Sequence, residues 1–215
     1  PIIAVTSASM CDGTSATLVA SGASTYSWNP FNTLNSPSAA TVIATPTITS
    51  VYSVIGSSLN CNSITETATV VVAPNPTVTI SAPNATICAG TALALNANGA
   101  ANYTWSPANS LNMSNGPSVI ANPMMNTSYL VIGELNTCTA SAVQQVSVIP
   151  LPNLMAVADK TLICEGDKAN INANGAYNYQ WSPITGLSSS TSNFVVASPA
   201  VTTLYTLIGS NGICT

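Results

Sequence analysis

The stretch Leu93-Ala94-Leu95-Asn96-Ala97-Asn98-Gly99-Ala100-Ala101-Asn102-Tyr103-Thr104-Trp105-Ser106-Pro107 decides the fold. Leu93, Leu95 and Ala97 recur every second residue, the period of a strand with one buried face. Asn98–Gly99 follows, and this pair suits a tight hairpin turn whose central residues need positive φ. Tyr103 and Trp105 lie two residues apart, so they share one face of the returning strand. Pro107 closes that strand, because proline has no N–H to give to a ladder. The stretch reads as a β-hairpin with a buried aromatic face.

The same hairpin occurs twice more. Ser21–Gly22 precedes Tyr26-Ser27-Trp28, and Asn174–Gly175 precedes Tyr179-Gln180-Trp181. Each copy sits in a larger frame without insertion or deletion: Cys11–Trp28–Tyr52–Cys61, Cys88–Trp105–Tyr129–Cys138 and Cys164–Trp181–Tyr205–Cys214. In every set the Trp comes 17 residues after the first Cys, the Tyr 24 after the Trp and the second Cys nine after the Tyr. Three copies in one register identify a tandem array of one small module. The copies are assigned to residues 1–74, 75–150 and 151–215. They meet at Pro74–Asn75–Pro76 and Pro150–Leu151–Pro152, where Pro-x-Pro favours an extended, semi-rigid connection. Each copy is expected to hold six or seven short antiparallel strands; the strand of Tyr52, Tyr129 or Tyr205 runs to Gly56, Gly133 or Gly209, and a turn then leads to the second Cys and the last strand. That makes an all-β sandwich. The third copy has no counterpart of Ser147–Pro150 and is expected to lack its last strand, as a window on a longer array would.

Only 4% of residues are charged and the net charge is −4, with no Arg and no His. This composition offers no basic footprint for nucleic acid and no polybasic segment for anionic lipid. No apolar run is long enough to span a membrane, so no membrane insertion is expected in this segment. The absence of His removes the commonest general base and metal ligand. The acids Asp12, Asp159, Asp167, Glu66, Glu134 and Glu165 recur at no common position in the copies. Asp159, Glu165 and Asp167 are the one place where carboxylates gather, and they read as a solvated turn. Too few acids flank either linker to hold calcium. The expected answer is no catalysis, no cofactor and no metal. Asn84, Asn102, Asn112 and Asn126 each begin an Asn-x-Ser/Thr sequon, a pattern such a composition also produces by chance. Met124–Met125 reads equally as an exposed apolar contact or as a plug into its own core.

The six cysteines are expected to be structural disulfides, since a pair 50 residues apart matches no zinc spacing. One pair per copy favours Cys11–Cys61, Cys88–Cys138 and Cys164–Cys214, and a pairing across the linkers is the rival. Closing a loop of that size is worth about 4 kcal/mol on the chain-entropy account. Disulfides require an oxidising compartment, so the chain is expected to be extracellular or on a cell surface. Trp28, Trp105 and Trp181, with Tyr52, Tyr129 and Tyr205, read as core aromatics, the Trp packed over the staple, rather than as sugar-stacking platforms.

Cys-x-Gly, Asn-Gly-Ala, Tyr-x-Trp-Ser-Pro, x-Tyr-x-x-x-Gly and Cys-Thr together resemble the PKD-like and Ig-like repeats of Bacteroidetes surface proteins. Such repeats occur in gliding-motility adhesins and other proteins exported by the type IX system. The resemblance implies three tandem Ig-like/PKD-like antiparallel β-sandwich modules in an extended array. It implies a non-enzymatic stalk or adhesive segment of a long secreted or cell-surface adhesin or fibre. Expected partners are further repeats of the same polypeptide, neighbouring copies in a fibre, or surface glycans. Two alternatives stay open: a subunit of a self-assembling filament completed by strand exchange, and an accessory stalk or carbohydrate-binding module of a larger secreted enzyme.

Overall fold

A computed structural model describes residues 1–215, which form strands and turns and no helix. The first copy contains β1 (Ala4–Val5), β2 (Ala8–Cys11), β3 (Ala16–Ser21), β4 (Thr25–Asn29), β5 (Thr41–Ala44), β6 (Ser50–Ser58), β7 (Cys61–Asn62) and β8 (Glu66–Ala73). One sheet has the order β1-β3-β5, and the other β2-β8-β6-β4 with β7 paired to β6. The second copy contains β9 (Thr79–Ser81), β10 (Thr86–Cys88), β11 (Leu93–Asn98), β12 (Asn102–Ser106), β13 (Ser118–Ala121), β14 (Thr127–Leu135) and β15 (Cys138–Ile149). Its sheets run β13-β11-β9 and β10-β15-β14-β12. The third contains β16 (Met155–Ala158), β17 (Ala169–Asn174), β18 (Asn178–Ser182), β19 (Phe194–Ala197) and β20 (Thr206–Ser210), in sheets β16-β17-β19 and β18-β20. It has no strand matching β10 or β15.

Alternation explains how each pair of sheets closes on a core. β3 buries Ala16, Leu18 and Ala20, and β11 buries Leu93, Leu95 and Ala97, while the residues between face water. From the opposing sheet come Tyr26 and Trp28, or Tyr103 and Trp105, together with Tyr52 and Val54, or Tyr129 and Val131. A buried indole N–H must find an acceptor. Here Trp28, Trp105 and Trp181 each donate from Nε1, at 2.9 Å, to the carbonyl oxygen of Ala39, Gly116 and Ser192 respectively. Tyr52 and Tyr129 are fully buried, and their hydroxyls bond Thr33 Oγ1 at 2.5 Å and Ser110 Oγ at 2.6 Å. Tyr205 is only half-buried and donates to the Thr185 carbonyl at 2.8 Å. Partial desolvation raises its phenol above the ordinary tyrosine value.

Two glycines are dictated by space. Gly99 sits at φ +98 between β11 and β12, where a side chain would be strained and would collide with the Thr77 carbonyl. β11 pairs with β9 and β13 while β12 pairs with β14, so the hairpin expected at Asn98–Gly99 is instead a crossover from one sheet to the other. Gly133 lies inside β14, and a Cβ there would sit 2.6 Å from Val78 Cγ2 and 2.7 Å from Ala100 Cβ. Gly56 and Gly209 are hemmed in by equivalent residues. These glycines do not end their strands, as the sequence suggested. β6, β14 and β20 run on to Ser58, Leu135 and Ser210.

One pairing in each complete sandwich is parallel. β2 lies beside β8 with Cys11 opposite Ala73, and β10 beside β15 with Cys88 opposite Ile149. Period-two alternation reports which face is buried and is silent on strand direction, so this edge was invisible in the sequence. No cysteine belongs to any of the three core clusters, which corrects the expectation of a Trp packed over a disulfide. Packing alone fills these cores. Trp105→Ala should therefore cost about 3–5 kcal/mol on denaturant unfolding. A change near zero with the fold retained would place the ring outside the core.

Candidate functional site

In the second copy, β14 and β15 form a hairpin whose tip is Leu135-Asn136-Thr137-Cys138, with Asn136 and Thr137 at positive φ. β15 then runs without a break to Ile149, which lies beside Cys88. Strand rise is about 3.3 Å per residue, so Cys138 and Cys88 stand at opposite ends of the sandwich, roughly 35 Å apart. A disulfide needs Cα atoms closer than about 7 Å. The second cysteine of a copy is therefore at its entry end, and the first is at its exit end beside the linker.

The exit of one copy faces the entry of the next, and the bridges form there. Cys11 is bonded to Cys138 with Cα atoms 5.6 Å apart, and Cys88 to Cys214 at 5.7 Å. Both bridges join the first cysteine of one copy to the second cysteine of the following copy, so they cross the linkers. The expected bridges Cys11–Cys61, Cys88–Cys138 and Cys164–Cys214 are absent, for the reason of reach just given. The rival pairing of cysteines adjacent across a linker is also absent. Cys61, at the entry of the first copy, and Cys164, at the exit of the third, are free and exposed. Burial follows the same logic: Cys138 and Cys214 are each 1% exposed where they dock against the preceding copy, whereas their counterpart Cys61 faces solvent.

Hydrogen bonds fasten the same junctions. The Asp12 N–H donates to the Ala73 carbonyl at 2.9 Å, and Asn75 Nδ2 donates back to the Asp12 carbonyl at 3.0 Å. At the second junction the Ala89 N–H donates to Ile149 at 2.9 Å, and Asn211 Nδ2 donates to the Pro150 carbonyl at 2.9 Å. Each linker is thus clamped by the turn after the first cysteine of its copy, and proline is one of several restraints. Asn75 and Asn211 carried no signal in the sequence, because neither recurs in register with the cysteine frame.

The remaining candidates lie elsewhere and are not assembled together. No group of three His, Cys, Asp or Glu side chains converges as a metal site. The Asp159 carboxylate accepts the Asn170 N–H at 2.7 Å and Asn170 Nδ2 at 2.8 Å, and these bonds lower its pKa. Its role is to tie β17 to the loop after β16. Asn112 and Asn126, read as sequon residues, spend their Oδ1 atoms on the Ile120 and Val148 N–H groups, both at 2.7 Å. Met124 and Met125 are exposed and plug no core. Ile48 and Val201, also exposed, stand where Met125 does in the other copies. No helix is long and apolar enough to cross a membrane.

No family profile and no curated relative matches the sequence. Among solved structures, an I-band fragment of titin is similar at 12% identity and a TM-score of 0.46, covering 98% of this chain and 92% of that one. Fibronectin(III)-like modules of Clostridium thermocellum CbhA are similar at 14% identity and a TM-score of 0.38, covering 69% of this chain and 95% of theirs.

Pairing across the junctions fixes the number of thiols. Native, unreduced chain should react with a thiol reagent at two sulfurs per molecule, and Cys61→Ser or Cys164→Ser should each remove one. A count of zero would contradict this arrangement.

Proposed function

We propose that the chain is a non-enzymatic, load-bearing repeat segment of a long secreted or cell-surface protein, in which disulfides carry tension from copy to copy. The observation that supports this is the position of the bridges across both linkers. Tension entering at Pro1 passes from Cys11 through sulfur to Cys138, then back along the second copy to Cys88, and through the second bridge to Cys214. Neither Pro-x-Pro linker lies on that path. Within the second copy, force pulls Cys138 toward the entry and Cys88 toward the exit. Those residues belong to neighbouring strands β15 and β10, so the load shears a parallel ladder along its length instead of peeling it bond by bond.

An oxidising exterior fits this reading, since such bridges persist there and are reduced in a cytosol. The composition fits as well. With 4% charged residues, little of the stability depends on screening by salt. The resemblance to surface-adhesin repeats points the same way. Each copy would be one folding unit, over residues 1–74, 75–150 and 151–215. An adhesive role would place the contact surface elsewhere on the copies than at these junctions.

The test is mechanical. A protease site is placed at Asn75, the linker is cut, and single molecules are pulled from their ends. The covalent path that bypasses the linker holds about 60 residues, so the cut, oxidised chain should remain one tether and extend to roughly 20 nm. Reductant should release the cut tether, and should lengthen the uncut one toward roughly 75 nm. Loss of the oxidised tether on cutting would contradict the proposal.

A further inference from the structure

The side-chain amide of Asn211 holds the second junction through three hydrogen bonds. Its Nδ2 donates to the Pro150 carbonyl at 2.9 Å, while its Oδ1 accepts the N–H groups of Ile213 at 3.1 Å and Cys214 at 2.8 Å. Its own N–H donates to the Cys214 carbonyl at 3.1 Å, closing the turn that presents Cys214 to Cys88. The next residue is Gly212. With no Cβ to shield it, a glycine nitrogen is the backbone nitrogen that most readily reaches the side-chain carbon of a preceding asparagine. Asn98–Gly99, Asn115–Gly116 and Asn174–Gly175 are the same dipeptide, but Asn211 is the one that grips a linker. The first junction is clamped differently. Asn75 Nδ2 donates to the Asp12 carbonyl at 3.0 Å, and Asn75 is followed by Pro76. A proline nitrogen carries no hydrogen and cannot make that attack. The position matching Asn211 in the second copy is Leu135, which has no amide. One junction is therefore clamped by a chemically inert asparagine, and the other by a labile one.

We infer that Asn211 is a modification site: it is converted to aspartate or isoaspartate when the second junction opens, and the conversion then keeps that junction from closing. The only co-reactant is water. Gly212 N gives its proton to hydroxide and bonds to Asn211 Cγ. The Cγ–Nδ2 bond breaks, and ammonia leaves with a proton taken from water, which restores the hydroxide. Water then opens the five-membered imide at either of its carbonyls. Docking blocks the first step. Cγ cannot swing toward Gly212 N while Oδ1 and Nδ2 are both held, and the Gly212 N–H is itself donated to Ser210 Oγ at 3.0 Å. Opening the junction releases the side chain. The aspartate product has no hydrogen to give Pro150 and sets a carboxylate oxygen against that carbonyl, so the clamp bond is lost and replaced by repulsion. Isoaspartate also lengthens the main chain by one methylene ahead of Cys214 and shifts the turn that carries it. The inference concerns the chemistry of one junction and does not require that junction to bear load.

The full chain is held at mildly alkaline pH, and conversion at Asn211 is followed by peptide mass spectrometry. A synthetic peptide of residues 206–215, its cysteine alkylated, sets the unrestrained rate. In the intact, oxidised chain Asn211 should convert several-fold more slowly than in the peptide. Cys88→Ser removes only the second bridge and leaves the sequence around Asn211 unchanged, and it should raise the rate toward that of the peptide. A second measurement reads the consequence. Asn211→Asp should let a phosphine reduce Cys88–Cys214 several-fold faster, while Cys11–Cys138 in the same molecules keeps its rate. Conversion at the peptide's rate in the intact chain, no acceleration by Cys88→Ser, or an unchanged reduction rate in Asn211→Asp would each overturn the inference.

Discussion

Reach is the constraint on which the architecture rests. A disulfide spans less than about 7 Å between Cα atoms, while the strand that separates the two cysteines of a copy runs for 12 residues. Those cysteines cannot meet, and each is delivered to the end of the sandwich where a neighbour's partner waits. Chain direction then sets the pairing without further specification. The exit cysteine of one copy can find only the entry cysteine of the next, and the two observed bridges obey that rule with sequence separations of 127 and 126.

The division of labour between core and bridge follows. Each complete sandwich is held by close packing of two alternating sheets around a Trp and a Tyr whose polar atoms are all satisfied. The cysteines are absent from those cores and instead restrain how one sandwich sits on the next. Sulfur and amide side chains brace the junctions. Where β15 covers it, Tyr129 is fully buried, while the matching Tyr205, which no such strand covers, is half-buried.

Much of the sandwich was legible before any coordinates. Leu93, Leu95 and Ala97 announced a half-buried strand, and Tyr103 with Trp105 the buried face of the next, through local periodicity. Asn98–Gly99 suggested a hairpin between them, but the turn carries the chain across to the opposite sheet, because turn chemistry does not say which strand the next one will pair with. The cysteine pairing was not legible, although the cysteines were the plainest marks in the sequence. One-per-copy counting invites a bridge inside each copy. Deciding otherwise requires knowing that β10 runs parallel to β15, which places Cys88 at the far end from Cys138, and alternation carries no information on direction. The continuation of β14 past Gly133 was hidden for a related reason. The glycine is there because Val78 and Ala100 leave no room for a side chain, a three-dimensional cause that looks like a strand break in one dimension.

The central claim is that disulfides join successive copies, and peptide mapping of the unreduced chain tests it most directly. Free thiols are alkylated first, and digestion with pepsin at low pH keeps thiolate low and so suppresses exchange. Mass spectrometry should then find the peptide holding Cys11 linked to that holding Cys138, and Cys88 linked to Cys214. A bridge from Cys88 to Cys138 would contradict the account, because it would require the two ends of one sandwich to touch.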